Sequence, residues 1–259
     1  MNEPSPSPSP SPFAPRPPEP SPEQRRFALL IHSIRREWVT YGIVAVNVLV
    51  FAVMVLSGVS LMAPTPQEAL QWGASSGYYT IVGEFWRLYT ANYVHFGIIH
   101  LGFNMYVLWR SGPLAERVFG HVGFAIGYAF AGLAGSVVSV FWNDWNVVSA
   151  GASGAVFGVF GMVGAFLVRR RSAMPRLLVT QLRNNVVSFI VLNVAFAFAV
   201  RGLDQAAHLG GLAGGFAAGL LMTPALTDEG PRRPWPLFAV PLVLMAAVTV
   251  AFASGVFGG

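Results

Sequence analysis

Long apolar segments separated by short polar ones dominate the chain. Seven segments are apolar enough to predict helices that cross a bilayer, near Tyr41–Ala63, Asn92–Leu114, Val122–Phe141, Ala152–Val168, Val186–Val200, Ala206–Met222 and Pro236–Phe257. A spanning helix needs about 20 residues, with a range of roughly 17–25. The pattern therefore predicts an all-α, polytopic membrane bundle, with a fourth, fifth and sixth helix at or below the usual length.

Composition supports this class. Hydrophobic residues make up 54% of the 259 residues and charged residues only 10%, whereas a soluble domain carries about 25% charged residues. There is no cysteine, which excludes a disulfide framework, a thiolate metal site and a cysteine nucleophile.

Three regions are predicted. Residues 1–38 form a Pro/Ser-rich and basic tail, which we expect to be disordered and cytoplasmic because it has few apolar residues to bury. Residues 39–225 hold six of the apolar segments and form the core. Residues 226–259 contain a cytoplasmic linker and an additional C-terminal membrane helix.

All sixteen basic side chains are arginines, and their distribution predicts an orientation. With a cytoplasmic N-terminus, fourteen of the sixteen lie on the cytoplasmic side and only Arg87 and Arg201 lie outside, as the positive-inside rule requires. The arginines form no continuous stripe, so a nucleic-acid partner is not expected. We expect an integral membrane protein whose constant partner is the lipid bilayer, and by analogy a bacterial plasma membrane.

A serine and a histidine stand in glycine-rich apolar segments, at Gly151-Ala152-Ser153-Gly154 and Ala207-His208-Leu209-Gly210-Gly211. Polar and ionisable groups at membrane depth are costly and therefore indicate function. Ser153, His208 and His100 each lie about 24–25 Å from the cytoplasmic end of their own helix, at a rise of about 1.5 Å per residue. The three groups are thus predicted to share one level near the outer surface.

Small residues at four-residue spacing favour close contact between the fourth and sixth segments. Gly154 and Gly158 provide this spacing in the fourth. In the sixth it is provided by three pairs, Gly210 and Gly214, Gly211 and Gly215, and Gly215 and Gly219. Generic helix packing is the alternative explanation for the glycines alone. Close approach is what a hydrogen bond between Ser153 and His208 requires, and such a pair forms a nucleophile and its base.

The second segment adds His95, His100 and Asn104. His100 and Asn104 are four residues apart and share a helix face, so with the Ser153 N–H they are candidate donors to an oxyanion. Polar contacts between helices are the alternative. A metal site of His95, His100 and His208 is not expected, because no carboxylate ligand accompanies them and there is no HExxH motif.

No acid is evident as a third catalytic member. Asp204 and Asp144 are interpreted as solvated loop carboxylates, which leaves a Ser–His dyad. Phe157, one turn after Ser153, is expected to pack against the His208 ring.

These residues together resemble the rhomboid family of intramembrane serine proteases, over roughly Gly83 to Met222. The matching motifs are Glu84-Phe85-Trp86-Arg87, the His95, His100 and Asn104 set, Glu116-xxx-Gly120, Gly151-Ala152-Ser153-Gly154 and Ala207-His208. The resemblance implies a six-helix core with a water-filled cavity, here with a seventh helix. It also implies Ser153 as nucleophile, His208 as base, an oxyanion hole at His100, Asn104 and Ser153, and Trp86-Arg87 as a brace for the first outer loop. Gly151, Gly154 and His95 are supporting positions. Some bacterial members have tyrosine at the position of Phe157.

The predicted function is a serine endopeptidase that cleaves transmembrane protein substrates in or near their membrane segments, with no cofactor or metal. One alternative is an inactive rhomboid-like protein that binds transmembrane clients. Another is a small transporter, but that class has internal repeats and polar groups at several depths, which this sequence lacks. The sequence indicates neither the substrate nor the oligomeric state.

Overall fold

The computed structural model describes residues 19–199 and 203–257. The predicted disorder of the first 18 residues of the tail and the predicted outer location of Arg201, in the segment 200–202, concern residues outside this range. The helices, in chain order, are α1 Pro22–His32, α2 Trp38–Leu56, α3 Pro66–Gln71, α4 Gly77–Ile81, α5 Arg87–Thr90, α6 Ile98–Trp142, α7 Ser153–Arg170, α8 Arg176–Ala199, α9 Gln205–Met222 and α10 Ala239–Ala253.

The protein is a polytopic helical membrane bundle, as predicted. Within the described residues, four helical segments are long and apolar enough to cross a membrane, at Trp38–Leu56, Ile98–Trp142, Ser153–Ala173 and Trp235–Ala253. The second of these is two helices joined at Gly120, whose φ of 78° interrupts the helical backbone. It therefore accounts for both the second and the third predicted segment. Helix α9 is not one of these four, although it packs against both α6 and α7.

The largest differences between the predicted and observed helices are at three boundaries. The first segment was expected to end at Ala63, but α2 ends at Leu56. The second segment was expected to begin at Asn92, but residues 91–93 form a 3-10 turn and α6 begins at Ile98. Gly97 causes the delay, because its φ is 96° and an added Cβ there would collide with the Met62 carbonyl. The fifth predicted segment corresponds to α8, which begins at Arg176, ten residues before the apolar stretch. Arginines in its first turns concealed this start from a hydropathy reading.

The centre of the bundle is the packing of α7 against α9, with α6 covering both. The glycine spacing explains it. A Cβ at Gly211 would overlap the Gly154 carbonyl, and one at Gly215 would overlap the Gly158 carbonyl. The two backbones are therefore in direct contact, which is the arrangement that small residues permit in membrane helices.

One end of the bundle is rich in arginine, and we call it the arginine-rich end. It contains the Gly120 bend, the end of α7 and a short hairpin in which Ala225–Thr227 pairs with Gly230–Arg232. Helix α1 lies here, where Arg26 forms an ion pair with Asp228 of the hairpin at 2.8 Å. Its residues fall within the tail that was expected to be disordered. A capping box of Ser21 and Gln24 explains its helical start.

Glu116 ties α6 to α2 at the same end. Its fully buried carboxylate accepts hydrogen bonds from the Val39 and Thr40 N–H groups at 3.0 and 2.8 Å and from the Thr40 hydroxyl at 2.6 Å. These N–H groups belong to the first turn of α2 and have no partner within the helix. The contact therefore fixes where α2 enters the bundle.

Helix α10 packs against α6 and the segment that joins α2 to α6. Phe252 lies against Phe141, with ring centroids 5.9 Å apart. The Tyr89 hydroxyl, in α5, is hydrogen-bonded to the Thr249 hydroxyl. The C-terminal helix is thus joined to the end of the bundle opposite the arginine-rich end.

Candidate active site

Ser153 is the first residue of α7 and lies against α9. Its hydroxyl is 2.8 Å from the Nε2 atom of His208. The two side chains come from helices whose backbones touch at Gly154 and Gly211. The predicted partners are therefore in hydrogen-bonding contact at one level of the bundle.

The His208 ring is oriented mainly by packing. It stacks on Phe157, with centroids 4.3 Å apart and planes 9° from parallel. Phe157 in turn meets the edge of Phe189 in α8. The Nδ1 atom of His208 is buried and has no hydrogen-bond partner among the described residues. No carboxylate that the structure describes therefore bonds to His208 Nδ1 as the third member of a catalytic triad would.

The segment that precedes Ser153 is held in place by backbone hydrogen bonds and by the conformation of a glycine. Gly151 has a φ of 126°, which suits glycine alone, and its N–H donates to the Ala91 carbonyl at 2.9 Å. Two residues earlier, Ser149 and Ser75 exchange backbone hydrogen bonds of 2.8 and 2.9 Å. The segment is thus fastened to the connection between α2 and α6.

His100 faces this segment. A Cβ at Gly151 would collide with the Cε1 and Nε2 atoms of the His100 ring, so only glycine leaves room for it. The Phe96 N–H donates to His100 Nδ1 at 3.3 Å, which leaves the proton of a neutral ring on Nε2. The ring therefore presents an N–H donor beside Ser153.

Asn104 and His95 lie around the same point. The Asn104 amide donates to the His100 carbonyl at 2.9 Å, and Asn104 lines the same cavity as Ser153. His95 is fully buried, and its Nε2 atom accepts the Ala152 N–H at 3.3 Å. His95 thus holds the backbone before Ser153 and does not face the reacting groups.

Trp86 and Arg87 lie farther away, in the connection between α2 and α6. The Arg87 guanidinium is buried, pairs with Glu84, and donates to the Leu70 and Ala74 carbonyls at 2.7 Å each. It also packs on the Trp86 ring, 4.5 Å from its centroid. These contacts join α3 to α5 and fold the connection into a unit.

A cavity of about 620 Å³ opens beside the Ser153 hydroxyl and the His208 ring. Its wall includes His100, Asn104 and Phe157, so it brings together the predicted side chains. No cluster of three metal-binding side chains occurs in the part of the chain that the structure describes.

Asp204 was interpreted as a solvated loop carboxylate, and that interpretation is wrong. It is half-buried and caps α9, where it accepts the Ala207 N–H at 2.9 Å. It also accepts hydrogen bonds from the side chains of Ser139, Ser149 and Asn143. Burial disfavours its charged form, but these bonds outweigh that effect and hold the pKa of the carboxyl below its usual value. Its three side-chain donors are 55 to 65 residues away in sequence, so no local pattern could have revealed it.

The chain is similar to known proteins over most of its length. The family model for the rhomboid domain matches residues 82–225. Rhomboid protease GluP of Bacillus subtilis is 34% identical over 89% of this chain, and Rhomboid-like protease 1 of Toxoplasma gondii is 30% identical over 74%. The putative rhomboid protease YdcA of Bacillus subtilis is 34% identical over 54% of this chain and 68% of its own length.

The chain spans 43% of the Bacillus GluP sequence and 65% of the Toxoplasma sequence. The region matched by the family model contains the two helices that bear Ser153 and His208, together with Trp86 and Arg87. The rhomboid model covers more than half of the chain, and the chain belongs to the rhomboid family.

Proposed function

We propose that this protein is an intramembrane serine endopeptidase that cleaves other membrane proteins in or near their transmembrane segments. The observation that carries the proposal is the 2.8 Å contact between the Ser153 hydroxyl and His208 Nε2 at the wall of a cavity. A serine in hydrogen-bonding contact with an imidazole is the arrangement that activates a hydroxyl for attack. The Bacillus and Toxoplasma relatives are named as proteases, which agrees with the proposal.

In the first step Ser153 attacks the scissile carbonyl while His208 Nε2 takes the hydroxyl proton. A serine ester forms, and His208 returns the proton to the leaving amine. Water then attacks the ester with His208 again as base, which releases the acid product and restores Ser153. Every step uses groups of this chain and one water molecule, so no cofactor or metal is required.

Hydrogen-bond donors must stabilise the negative charge that develops on the carbonyl oxygen during the attack. The Nε2–H of His100, the amide of Asn104 and the Ser153 N–H are assigned to this role, because the three residues line the same cavity. The Ser153 N–H is in the first turn of α7 and has no partner within that helix. Removing one such donor costs an enzyme about 3 kcal/mol of transition-state stabilisation, or roughly a hundredfold in rate.

The substrate must present an unwound segment to the cavity, because carbonyls within a membrane helix are hydrogen-bonded and covered. Small residues at the cleaved bond and helix-breaking residues nearby suit this requirement. We place the N-terminus and the arginine-rich end in the cytoplasm, with the cavity opening to the other side of the membrane.

The test is cleavage of a membrane-spanning reporter by purified protein in lipid. The wild type is expected to release two fragments, while Ser153→Ala and His208→Ala release none above background. Ser111→Ala, a serine in α6 that bonds only its own helix, is the matched control and should cleave normally. Cleavage that persists in the Ser153 and His208 variants would eliminate the dyad. Reporter binding without cleavage by the wild type would instead favour an inactive, client-binding rhomboid.

A further inference from the structure

Asp204 connects three parts of the molecule that build the active site. One carboxylate oxygen accepts the Asn143 amide at 3.0 Å and the Ala207 N–H at 2.9 Å, and the other accepts the hydroxyls of Ser139 and Ser149. Ser139 is in the last turn of α6, Ser149 is in the segment before α7, and Ala207 is in the first turn of α9.

In two of these parts, the residue that takes part in the bridge is the same number of positions before a member of the proposed catalytic pair. Ser149 is four residues before Ser153, and Asp204 is four residues before His208. Movement at either position is passed on within one helical turn or one short extended segment. The bond between Asp204 and Ser149 thus sets the distance between nucleophile and base from the open end of the helix pair. The glycine contacts of α7 and α9, which lie farther along the two helices, set the same distance from the other side.

Ser139 and Asn143 supply the fixed side of this arrangement. Ser139 is buried in α6, and Asn143 is the residue that follows the helix. The Asn143 amide contacts both Ser139, at 3.2 Å, and Asp204. Asp204 is therefore held against the end of a long helix and is unable to follow independent movement of either neighbour.

We infer that Asp204 is a positioning residue, which holds the start of α9 and the segment before Ser153 in the register that brings His208 to the nucleophile. This inference rests on the proposed function. Misplacement of a reacting group by about 1 Å costs roughly a hundredfold in rate, so loss of the bridge should lower kcat. Substrate affinity should change little, because Asp204 lines the cavity but both of its oxygens are already engaged by four donors of the protein.

Two substitutions separate bridging from helix capping. Serine and asparagine are both good N-cap residues, so Asp204→Ser and Asp204→Asn each keep the cap on Ala207. Serine is too short to reach the Ser139 and Ser149 hydroxyls. Asparagine has the length of aspartate, can accept from Asn143 and Ala207, and can donate to the two hydroxyls.

We expect Asp204→Ser to lower kcat for reporter cleavage tenfold or more, with KM within twofold of wild type. Asp204→Asn should stay within about threefold of wild type. The matched control is Asp144→Ser, an exposed aspartate in the neighbouring segment, which should leave both constants unchanged. The double variant Ser139→Ala with Ser149→Ala removes two donors while keeping Asp204, and it should resemble Asp204→Ser.

Hydrogen exchange gives a readout that does not depend on activity. Asp204→Ser should raise amide exchange in residues 145–152 and 205–208 at least tenfold, while Asp144→Ser should not. This result would support the bridge even if the wild type cleaved nothing, an outcome that would overturn the proposed function alone. Unchanged kcat and exchange in Asp204→Ser would overturn the inference. So would equal losses in Asp204→Ser and Asp204→Asn, or a loss of activity in every variant that only follows the amount of folded protein.

Discussion

At the scale of single residues, the orientation of His208 depends on an unusual partner. Many catalytic histidines are held by a carboxylate at Nδ1, but the partner of this ring is the face of Phe157. Stacking leaves the ring free to rotate in its plane only as far as the Ser153 contact and the neighbouring walls allow. In the proposed mechanism, stacking on Phe157 therefore orients the ring, a role that a carboxylate fills in those other enzymes.

Replacement of Phe157 should test this directly. An aromatic pair contributes about 0.5–1.5 kcal/mol, so Phe157→Ala should lower kcat for reporter cleavage roughly two- to tenfold. Phe157→Tyr keeps the ring and should remain close to wild type, which makes it the matched control. Equal rates for the alanine and wild-type proteins would show that the stack does not orient the base.

At the residue scale, sequence reasoning could select some groups of the candidate site and could not select others. Ser153, His208 and His100 could be selected because polar groups in apolar helices stand out from their neighbours. The donor atom of His100 could not, since it depends on the Phe96 N–H fixing the tautomer. Asp204 was misjudged for a similar reason, because its partners come from α6 and from the segment before α7, and sequence distance conceals them.

At the scale of elements, glycines on both helices decide how closely α7 and α9 approach. An alanine Cβ at position 211 would lie on the Gly154 carbonyl, so the helices would have to separate. Glycine spacing predicted the contact, but generic packing predicted it equally well. What distinguishes the two explanations is that this contact is one residue from Ser153.

We therefore expect Gly211→Ala to reduce cleavage at least a hundredfold and to lower the thermal unfolding temperature. Separation of the backbones lengthens the Ser153–His208 hydrogen bond, and a displacement of about 1 Å is enough for such a loss. Gly164→Ala is the matched control, because it lies in α7 and its Cβ would make only ordinary contacts. A normal rate for Gly211→Ala would mean that the helix contact does not set the geometry of the site.

The C-terminal helix makes a second prediction at this scale. The hydrogen bond between Tyr89 and Thr249 joins α10 to α5, and hydrogen bonds of this kind contribute about 0.5–1.5 kcal/mol to stability. Tyr89→Phe and Thr249→Val should each destabilise the protein, and the double variant should cost less than their sum. A double-mutant cycle from thermal or denaturant unfolding measures the coupling. A coupling of zero would show that α10 is held by apolar packing alone.

At the scale of the whole molecule, the main question is which end of the bundle faces which side of the membrane. Helix α7 runs from Ser153 to Arg170, so its ends lie about 25 Å apart along the axis. Arg169 donates to the Leu220 carbonyl in the last turn of α9 at 2.8 Å, and Arg170 donates to the Pro224 carbonyl just after that helix at 2.7 Å. The arginine count in the sequence and the clustering of these side chains at one end describe the same asymmetry.

Because the chain contains no cysteine, single cysteines can report that asymmetry without background. Asp144 is exposed in the segment before α7, and Ser172 is exposed just after that helix. Each can be replaced by cysteine in a separate variant. In intact cells a membrane-impermeant maleimide should label Asp144→Cys, and it should reach Ser172→Cys only after the membrane is permeabilised. The reason is that arginine-rich connections stay in the cytoplasm during insertion. The reverse labelling pattern would place the cavity on the cytoplasmic side, where it would meet substrates from the opposite face of the bilayer, while the chemistry at Ser153 would be unaffected.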